Sequence, residues 1–335
     1  MIQATQVVDL ASIRVAEDHP GRDDVAELRA ELGARLSEAT TGWDRPAGLL
    51  GITKGRMFST RRCPASVCGE LAPRTLGHDL AVGTIVDTAA ALLATSATIP
   101  GRASWLDALL VVLRETEPEL AQAVADLPID VRDELRTVVH ERCDALRGVL
   151  GDLTGVDVTA QERARVIFDG PGVSLSGRSD LVVGAASSPR SIVEVKSGSV
   201  RPSHIDELGF YALLFALRDG VAPAAVAAVT LDPPIISAHA VTWDLLEGVA
   251  LRIVETAATL IEVDRTIAGG AWPETRPGQA CSWCGAAPRC PDAPDIAIAE
   301  RDARVETWVR PAGSSGDDLG DLAEPIDADD DEEPW

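Results

Sequence analysis

The sequence has 335 residues, of which 46% are hydrophobic and 25% are charged, a composition typical of a soluble globular protein with ample material for a core. Its net charge of -23 excludes binding to nucleic acid through overall charge, so any such contact needs a local basic patch. The alanine-rich apolar segments are too short to span a bilayer, and the acidic N-terminus lacks the features of a signal peptide, so we expect a cytoplasmic protein.

The N-terminal half of the chain is predicted to be largely helical. Residues 1–50 indicate a strand followed by a helix, DDVAELRAELGARLSEA. A connection rich in Gly, Arg and Ser is expected over residues 51–69, and it offers the basic patch that DNA binding would need. Helical spacing resumes at LAVGTIVDTAAALLATSA and continues over residues 103–149, where we expect a helical cap or insertion. The candidate basic residues are Lys54, Arg56, Arg61, Arg62 and Arg74.

From about residue 164 the pattern changes to short β-branched runs separated by Gly, Pro and Ser, which is typical of strands. The order of predicted elements is β-β-β-α-β-β-α, which favours an α/β fold with a mixed sheet and helices packed on it. The segments concerned are RVIFDG, VSLSGRSDLVVG, SIVEVKSG, HIDELGFYALLFALRDG, AVAAVTLDPP, IISAHAVTW and LLEGVALRIVETAATLIEVDRTIAGG.

The C-terminal tail is strongly acidic and has too few apolar residues to fold, so we expect it to be disordered over residues 312–335. One interpretation is a solubilising segment with no specific partner. Its ending, DADDDEEPW, also resembles the C-terminal tip of bacterial single-stranded DNA-binding proteins. That resemblance implies that Trp335 and the acidic run dock on a DNA-repair partner, or fold back onto a basic groove of the same protein.

A predicted hairpin carries three charges whose spacing suggests a metal site. On a strand, Glu194 and Lys196 point to the same face, and an antiparallel hairpin brings Asp180 near Glu194. Two close carboxylates need a cation, and oxygen ligands suit Mg²⁺ or Mn²⁺. Lys196 can then orient a water or stabilise negative charge on a phosphate. The alternative is a surface hairpin whose charges simply face water.

The pattern GRSDLVV…EVK resembles motifs II and III of the PD-(D/E)XK nuclease superfamily, in particular its RecB-like branch. The resemblance implies a restriction-endonuclease-like fold, with Asp180 and Glu194 as metal ligands and Lys196 as the catalytic lysine. It covers about residues 58–292.

Two further motifs of this family are matched only in part. The Gln-x-x-x-Tyr motif on the helix after the lysine strand corresponds to ELGFY, where Tyr211 matches and Glu207 takes the place of glutamine. The i, i+4 spacing puts both on one helix face, although Tyr211 can equally be a core residue. The Gly-x-x-x-His motif corresponds to Gly83 and Asp87, so Asp87 would be a third metal ligand, with His78 as its competitor.

Five cysteines predict a second inorganic site. The triplet C-x2-C-x5-C lies near the end of the predicted domain, and a Cys-Pro pair lies far upstream. This arrangement resembles iron–sulfur nucleases of the RecB-like branch and implies a 4Fe–4S cluster that joins the two ends of the domain. Cys68 is the alternative for the upstream ligand, zinc the alternative metal, and Cys143 an ordinary buried cysteine. The implied ligands are Cys63, Cys281, Cys284 and Cys290.

The resemblance to this nuclease branch implies a metal-dependent DNA nuclease, in particular an exonuclease acting on single-stranded DNA or DNA ends in repair, recombination or defence. A helicase, if involved, would be a separate partner, because the sequence has no P-loop. The alternatives are a weakly catalytic DNA-binding or assembly subunit and a zinc-stapled α/β protein. The predicted parts are an N-terminal extension (1–57), a nuclease domain (58–295) with a helical insertion (103–160), a C-terminal extension (296–311) and the tail (312–335).

Overall fold

A computed structural model describes residues 16–43, 48–69, 78–95, 105–151, 156–185, 188–198 and 202–300, without the side chains of residues 79 and 202–206. The strand predicted before residue 16, the disordered tail over 312–335 and its Trp335 lie outside the described residues, as does Arg74 of the basic patch.

The described residues form a six-stranded mixed sheet, which confirms the predicted α/β class. The strand order is β1-β3-β4-β5-β6, and β2 pairs with β3 off this path. The β1–β3 and β4–β5 pairs are parallel and the other pairs are antiparallel. The strands are β1 (Leu50–Thr53), β2 (Val158–Phe168), β3 (Val173–Val183), β4 (Ser191–Lys196), β5 (Ala225–Leu231) and β6 (Pro234–Ala240).

Helices cover both faces of the sheet, so the fold is the restriction-endonuclease-like arrangement that the sequence predicts. One apolar cluster lies between the sheet and helices α1, α7 and α8, and the other lies between the sheet and helices α3 to α6. The helices are α1 (Arg22–Ala39), α2 (Lys54–Arg62), α3 (His78–Thr95), α4 (Trp105–Thr116), α5 (Pro118–Ala125), α6 (Ile129–Leu150), α7 (Pro202–Asp219) and α8 (Trp243–Ala268).

The prediction of an irregular connection over residues 51–69 is wrong. This segment contains most of β1, the whole of α2 and a 3-10 turn over Pro64–Gly69. The side chain of Thr53 caps α2 by accepting a hydrogen bond from the backbone N–H of Arg56. The strand has only four residues and the helix begins Lys-Gly-Arg, so neither gives a hydrophobic period that the sequence could reveal.

Strand β4 is fully buried until its last residue, Lys196. Side chains alternate along it, so that Ile192 packs with the α7 side of the sheet, whereas Val193 and Val195 pack with the α3–α6 side. Glu194 and Lys196 therefore share the face of Ile192, where α7 crosses the sheet. This alternation sends the charged residues of the hairpin toward α7 rather than toward solvent.

Candidate active site and cysteine centre

The hairpin formed by β3 and β4 brings Asp180 and Glu194 together, as the sequence predicts. Leu181 pairs with Val193, and the next positions along the two strands are Asp180 and Glu194. Only 8% of Asp180 and 4% of Glu194 is exposed. The backbone N–H of Val195 donates to one carboxylate oxygen of Asp180 at 2.7 Å. The strand pairing therefore fixes two carboxylates in a buried position.

Two lysines neutralise part of this negative charge. The Nζ atom of Lys54 lies 2.5 Å from Oε1 of Glu194 and 3.5 Å from Oε2 of Glu207. The Nζ atom of Lys196 lies 3.3 Å and 2.9 Å from the same two oxygens. The predicted residues Lys196 and Glu207 thus lie beside Glu194. They are joined by Lys54, which the sequence suggests as part of a basic patch.

Asp87 interacts electrostatically with the carboxylates and lysines of this site. Burial and, to a smaller extent, the charge of Glu194 raise the pKa of Asp87 to about 6, while Lys196 and Lys54 oppose this effect. Burial also raises the pKa of Asp180 well above its usual value, with added contributions from the charges of Glu194 and Asp87. The carboxyl groups of this cluster therefore disfavour one another's ionisation even with two lysines present.

The competing candidate, His78, is the first residue of α3. It lies nine residues before Asp87, which is about 13 Å along the helix axis. A single site cannot easily use both side chains. The interaction of Asp87 with Glu194 favours Asp87 as the member of this site.

Tyr211 packs under the site and does not point freely into it. Its hydroxyl donates to the backbone carbonyl of Arg178 at 2.9 Å, and Nζ of Lys54 lies 5.0 Å from its ring centroid. A Cβ atom at Gly177 would lie 3.0 Å from its ring. Burial raises the pKa of Tyr211, so the phenol stays protonated and acts as a hydrogen-bond donor to β3.

Sequence reasoning missed two residues of the site, Lys54 and Gln161. The side-chain amide of Gln161 donates to Oδ1 of Asp180 at 3.5 Å, and its φ of 54° lies in the left-handed region, where non-glycine residues are uncommon. No sequence signal marks Gln161. The rarity of lysine could have drawn attention to Lys54, because 28 of the 30 basic residues are arginine and the only two lysines are Lys54 and Lys196.

The donor set fits a hard divalent cation such as Mg²⁺ or Mn²⁺. The Oε2 atom of Glu194 is buried and has no hydrogen-bond partner among the described residues, which leaves an oxygen ligand ready for a cation. Among the described residues, no three or more His, Cys, Asp or Glu side chains are already arranged as a metal site, and this holds for the cysteines as well as for the carboxylates. The lysine ammonium groups hold Glu194 instead.

The cysteines that the sequence assigns to one cluster come from distant parts of the chain and line one cavity of about 190 Å³. Burial raises the pKa of Cys284, and the charges of Cys63 and Cys281 raise it further. Backbone N–H groups donate to the sulfur atoms of Cys63 and Cys281, each at 3.4 Å, an arrangement that suits thiolates. Cys68 also lies nearby, because Cys284 and Cys290 contribute to its raised pKa after burial.

Backbone contacts close this cysteine centre. A Cβ atom on Gly69 would lie 2.3 Å from the backbone nitrogen of Ala286, so the two segments touch at the main chain. Arg289 donates to the carbonyl of Cys68 at 2.9 Å, and Arg276 donates to the carbonyl of Arg61 at 2.9 Å. The centre therefore ties the end of α2 to the chain that follows α8. The predicted buried residue Cys143 lies elsewhere, on the buried face of α6.

None of the described helices is both long and apolar enough to cross a membrane.

Comparison with known proteins identifies the fold family. The family model of the PD-(D/E)XK nuclease superfamily matches residues 63–291. No curated protein matches the chain. Among solved structures, the crystal structure of SSO0001 is similar over 79% of this chain and 96% of that chain, with 14% sequence identity and a TM-score of 0.32.

Proposed function

The chain belongs to the PD-(D/E)XK nuclease superfamily, and from this premise we propose that it is a divalent-metal-dependent deoxyribonuclease whose active site is the carboxylate cluster on β3 and β4. The observation that carries this proposal is the buried, unpartnered oxygen of Glu194 beside Asp180. A buried carboxylate oxygen without a donor is costly unless a cation binds it.

The proposed roles follow from position. Asp87, Asp180 and Glu194 would hold Mg²⁺ or Mn²⁺. When bound, such a cation supplies positive charge that activates a water and stabilises the phosphate under attack. Lys196, at the exposed end of β4, presents an ammonium group that would contact the reacting phosphate.

Glu207 and Tyr211 support this arrangement from α7. The carboxylate of Glu207 holds the Lys196 ammonium through their 2.9 Å contact in the protein without metal. The phenol of Tyr211 holds the β3 backbone beside Asp180 through the carbonyl of Arg178. Both are thus positioning residues in the proposed mechanism.

The substrate proposed is single-stranded DNA or DNA ends, cut as an exonuclease in repair, recombination or defence. The resemblance to the RecB-like branch supports this choice. A separate helicase or repair protein is the proposed partner, with the tail that ends in Trp335 as its contact.

Cleavage of labelled single-stranded and duplex DNA with Mn²⁺ or Mg²⁺ tests the proposal. We expect end-dependent cleavage by the wild type that EDTA abolishes, and loss of at least about 100-fold in Lys196→Ala, since one electrostatic stabiliser of a developing charge contributes 10²–10³. DNA binding without cleavage under either metal supports the alternative of an assembly subunit. Equal cleavage by wild type and Lys196→Ala contradicts the assigned site.

For the cysteine centre we propose a 4Fe–4S cluster as a structural staple, with zinc as the alternative. Two observations support this proposal. Cys63 lines the same cavity as the C-terminal triplet, with Cys68 nearby, and backbone N–H groups donate to the sulfur atoms of Cys63 and Cys281. Anaerobic purification followed by iron and zinc analysis and a visible spectrum distinguishes the metals. Cys63→Ser should lose the metal, whereas Cys68→Ser should keep it. The reverse result assigns Cys68 as the upstream ligand.

A further inference from the structure

The distribution of lysine in this chain is highly selective. Arginine supplies 28 of the 30 basic residues, and the two exceptions, Lys54 and Lys196, both contact Glu194. Arginine presents a planar, multidentate group, whereas lysine presents a compact charge on a flexible stem that can exchange partners. The chain thus places its only two lysines on one carboxylate.

The two lysines do not hold Glu194 equally. Lys196 lies closer to Glu207, at 2.9 Å, than to Glu194, at 3.3 Å. Lys54 shows the opposite preference, with 2.5 Å to Glu194 and 3.5 Å to Glu207. Lys54 is therefore the cation that occupies the Oε1 atom of Glu194, and a second acceptor already lies within reach.

The charges of the site leave room for one divalent cation. Four carboxyl groups and two ammonium groups gather here, so the fully ionised site would carry two uncompensated negative charges. A divalent cation on Glu194 would compete directly with the ammonium of Lys54 for the same oxygen. The six groups are Asp87, Asp180, Glu194, Glu207, Lys54 and Lys196.

We propose that Lys54 is a second active-site lysine, which holds Glu194 in the metal-free protein and transfers to Glu207 when a divalent cation binds Glu194. This inference rests on the proposed metal-dependent nuclease. The Nζ atom of Lys54 already lies over the ring of Tyr211, 5.0 Å from its centroid, and this cation–π contact can hold the ammonium group while it changes carboxylates. It also neutralises Glu207, so that Lys196 is released toward the phosphate.

The scarcity of lysine makes a direct measurement possible. In protein labelled with ¹³C and ¹⁵N only at lysine, the side-chain NMR spectrum contains two signals, and Lys196→Arg assigns them by removing one. Titration with Mg²⁺ without DNA should shift the Lys54 signal strongly. This readout uses the wild-type protein and does not depend on cleavage.

Three variants test the exchange through Mn²⁺ affinity, measured by calorimetry without DNA. Lys54→Met removes the competing cation, so the dissociation constant should fall about tenfold, the size of one pKa unit of charge interaction. Glu207→Gln removes the second acceptor, so Mn²⁺ should bind about tenfold more weakly. Arg35→Met removes an exposed charge from α1, where it pairs with Glu31, and should leave the affinity unchanged.

Cleavage adds a second, independent pattern. At saturating Mn²⁺, Lys54→Met should cut DNA about tenfold more slowly, because Glu207 then retains Lys196. The double variant Lys54→Met/Glu207→Gln should recover to within about threefold of wild type, as expected for two coupled residues. Lys54→Gln serves as a second variant if Lys54→Met does not fold.

The outcomes separate the two proposals. If the wild type binds Mn²⁺ and cleaves DNA, but the Lys54 signal stays fixed and the Lys54 variants match Arg35→Met, only the exchange is overturned. If the wild type neither binds Mn²⁺ nor cleaves DNA, the proposed function falls and the exchange with it. Opposite shifts in affinity for Lys54→Met and Glu207→Gln support the exchange, since a purely structural lysine would not produce them.

Discussion

The carboxylate site and the cysteine centre are held together by different forces, although a single nine-residue helix, α2, joins them. The carboxylate site depends on charge: Glu194 is buried, and the ammonium groups of Lys54 and Lys196 compensate it. The cysteine centre depends on shape, because the backbone at Gly69 lies directly against the backbone at Ala286. The first site should therefore be sensitive to loss of a charge and the second to an added atom.

Removing the central charge should have the largest effect. In Glu194→Gln the ammonium groups of Lys54 and Lys196 lose their shared anion in a buried position, so the free energy of unfolding should fall by about 3 kcal/mol. Cleavage should be lost. Urea denaturation without metal measures the first effect and the DNA assay measures the second.

The matched control is Glu162→Gln, because Glu162 also lies between two cations, Arg190 and Arg218, but near the surface. That variant should lose about 1 kcal/mol and keep its cleavage activity. Equal destabilisation by both substitutions would show that burial does not distinguish the two clusters.

Adding one methyl group should break the cysteine centre. Gly69→Ala places a carbon atom against the backbone at Ala286, so the free energy of unfolding should fall by about 1–3 kcal/mol and the cysteines should react faster with an alkylating reagent. Gly148→Ala is the control, since nothing lies within 4 Å of a Cβ atom there and alanine favours the helix. Unchanged alkylation rates in Gly69→Ala would contradict a shape-dependent centre.

Gln161 should be sensitive both to a change in its backbone preference and to loss of its polar contact, because its backbone is left-handed and its amide contacts Asp180. Gln161→Asn tolerates the conformation but shortens the amide, so stability should change by less than about 0.5 kcal/mol while cleavage slows. Gln161→Val should lose about 1–2 kcal/mol, because a β-branched residue is strained there. Thermal unfolding and DNA cleavage separate the two effects, and identical stability of both variants would argue against strain.

A surface charge pair should have the smallest effect. Burial alone would raise the pKa of Asp219, but hydrogen bonds from Arg218 and Arg190 lower it below the usual value. Its stabilisation is thus fully present above the unfolded-state pKa of about 3.9 and is lost as the pH falls through the lower folded-state value. Asp219→Asn should cost less than about 1 kcal/mol at pH 7 and nothing at pH 2. Urea denaturation at both pH values tests this, and a cost that persists at pH 2 would contradict the electrostatic origin.

The sequence predicted the residue pairs that follow from the period of a single strand or helix. It missed the residues that reach the site through contacts between distant segments of the chain. The strand period placed Glu194 and Lys196 on one face, and the helix period placed Glu207 and Tyr211 together, because each period is local. Lys54 reaches the site through β1, which has four residues and pairs with a strand more than 100 residues away. A pairing of that separation leaves no local pattern.

The same limit applies to the cysteine centre. The spacing of Cys281, Cys284 and Cys290 marks a binding site by itself, whereas the choice between Cys63 and Cys68 depends on how the Pro64–Gly69 turn meets the C-terminal segment. Gln161 is a further case, since its left-handed backbone follows from its position opposite Asp180 and not from its own preference.

The backbone contact at Gly69 also sets an order of events during synthesis. Residues near Gly69 leave the ribosome more than 200 residues before Ala286, which corresponds to roughly 10–45 s at 5–20 residues per second. Until then the C-terminal end of α2 lacks the segment that holds it, whereas Lys54 at its other end follows β1, which pairs with β3. The strands and the helix that carry the carboxylate site, β1, β3, β4 and α7, all precede Ala286 in the chain. A growing chain can therefore assemble its carboxylate site before the last cysteine segment emerges, and the cysteine centre forms last.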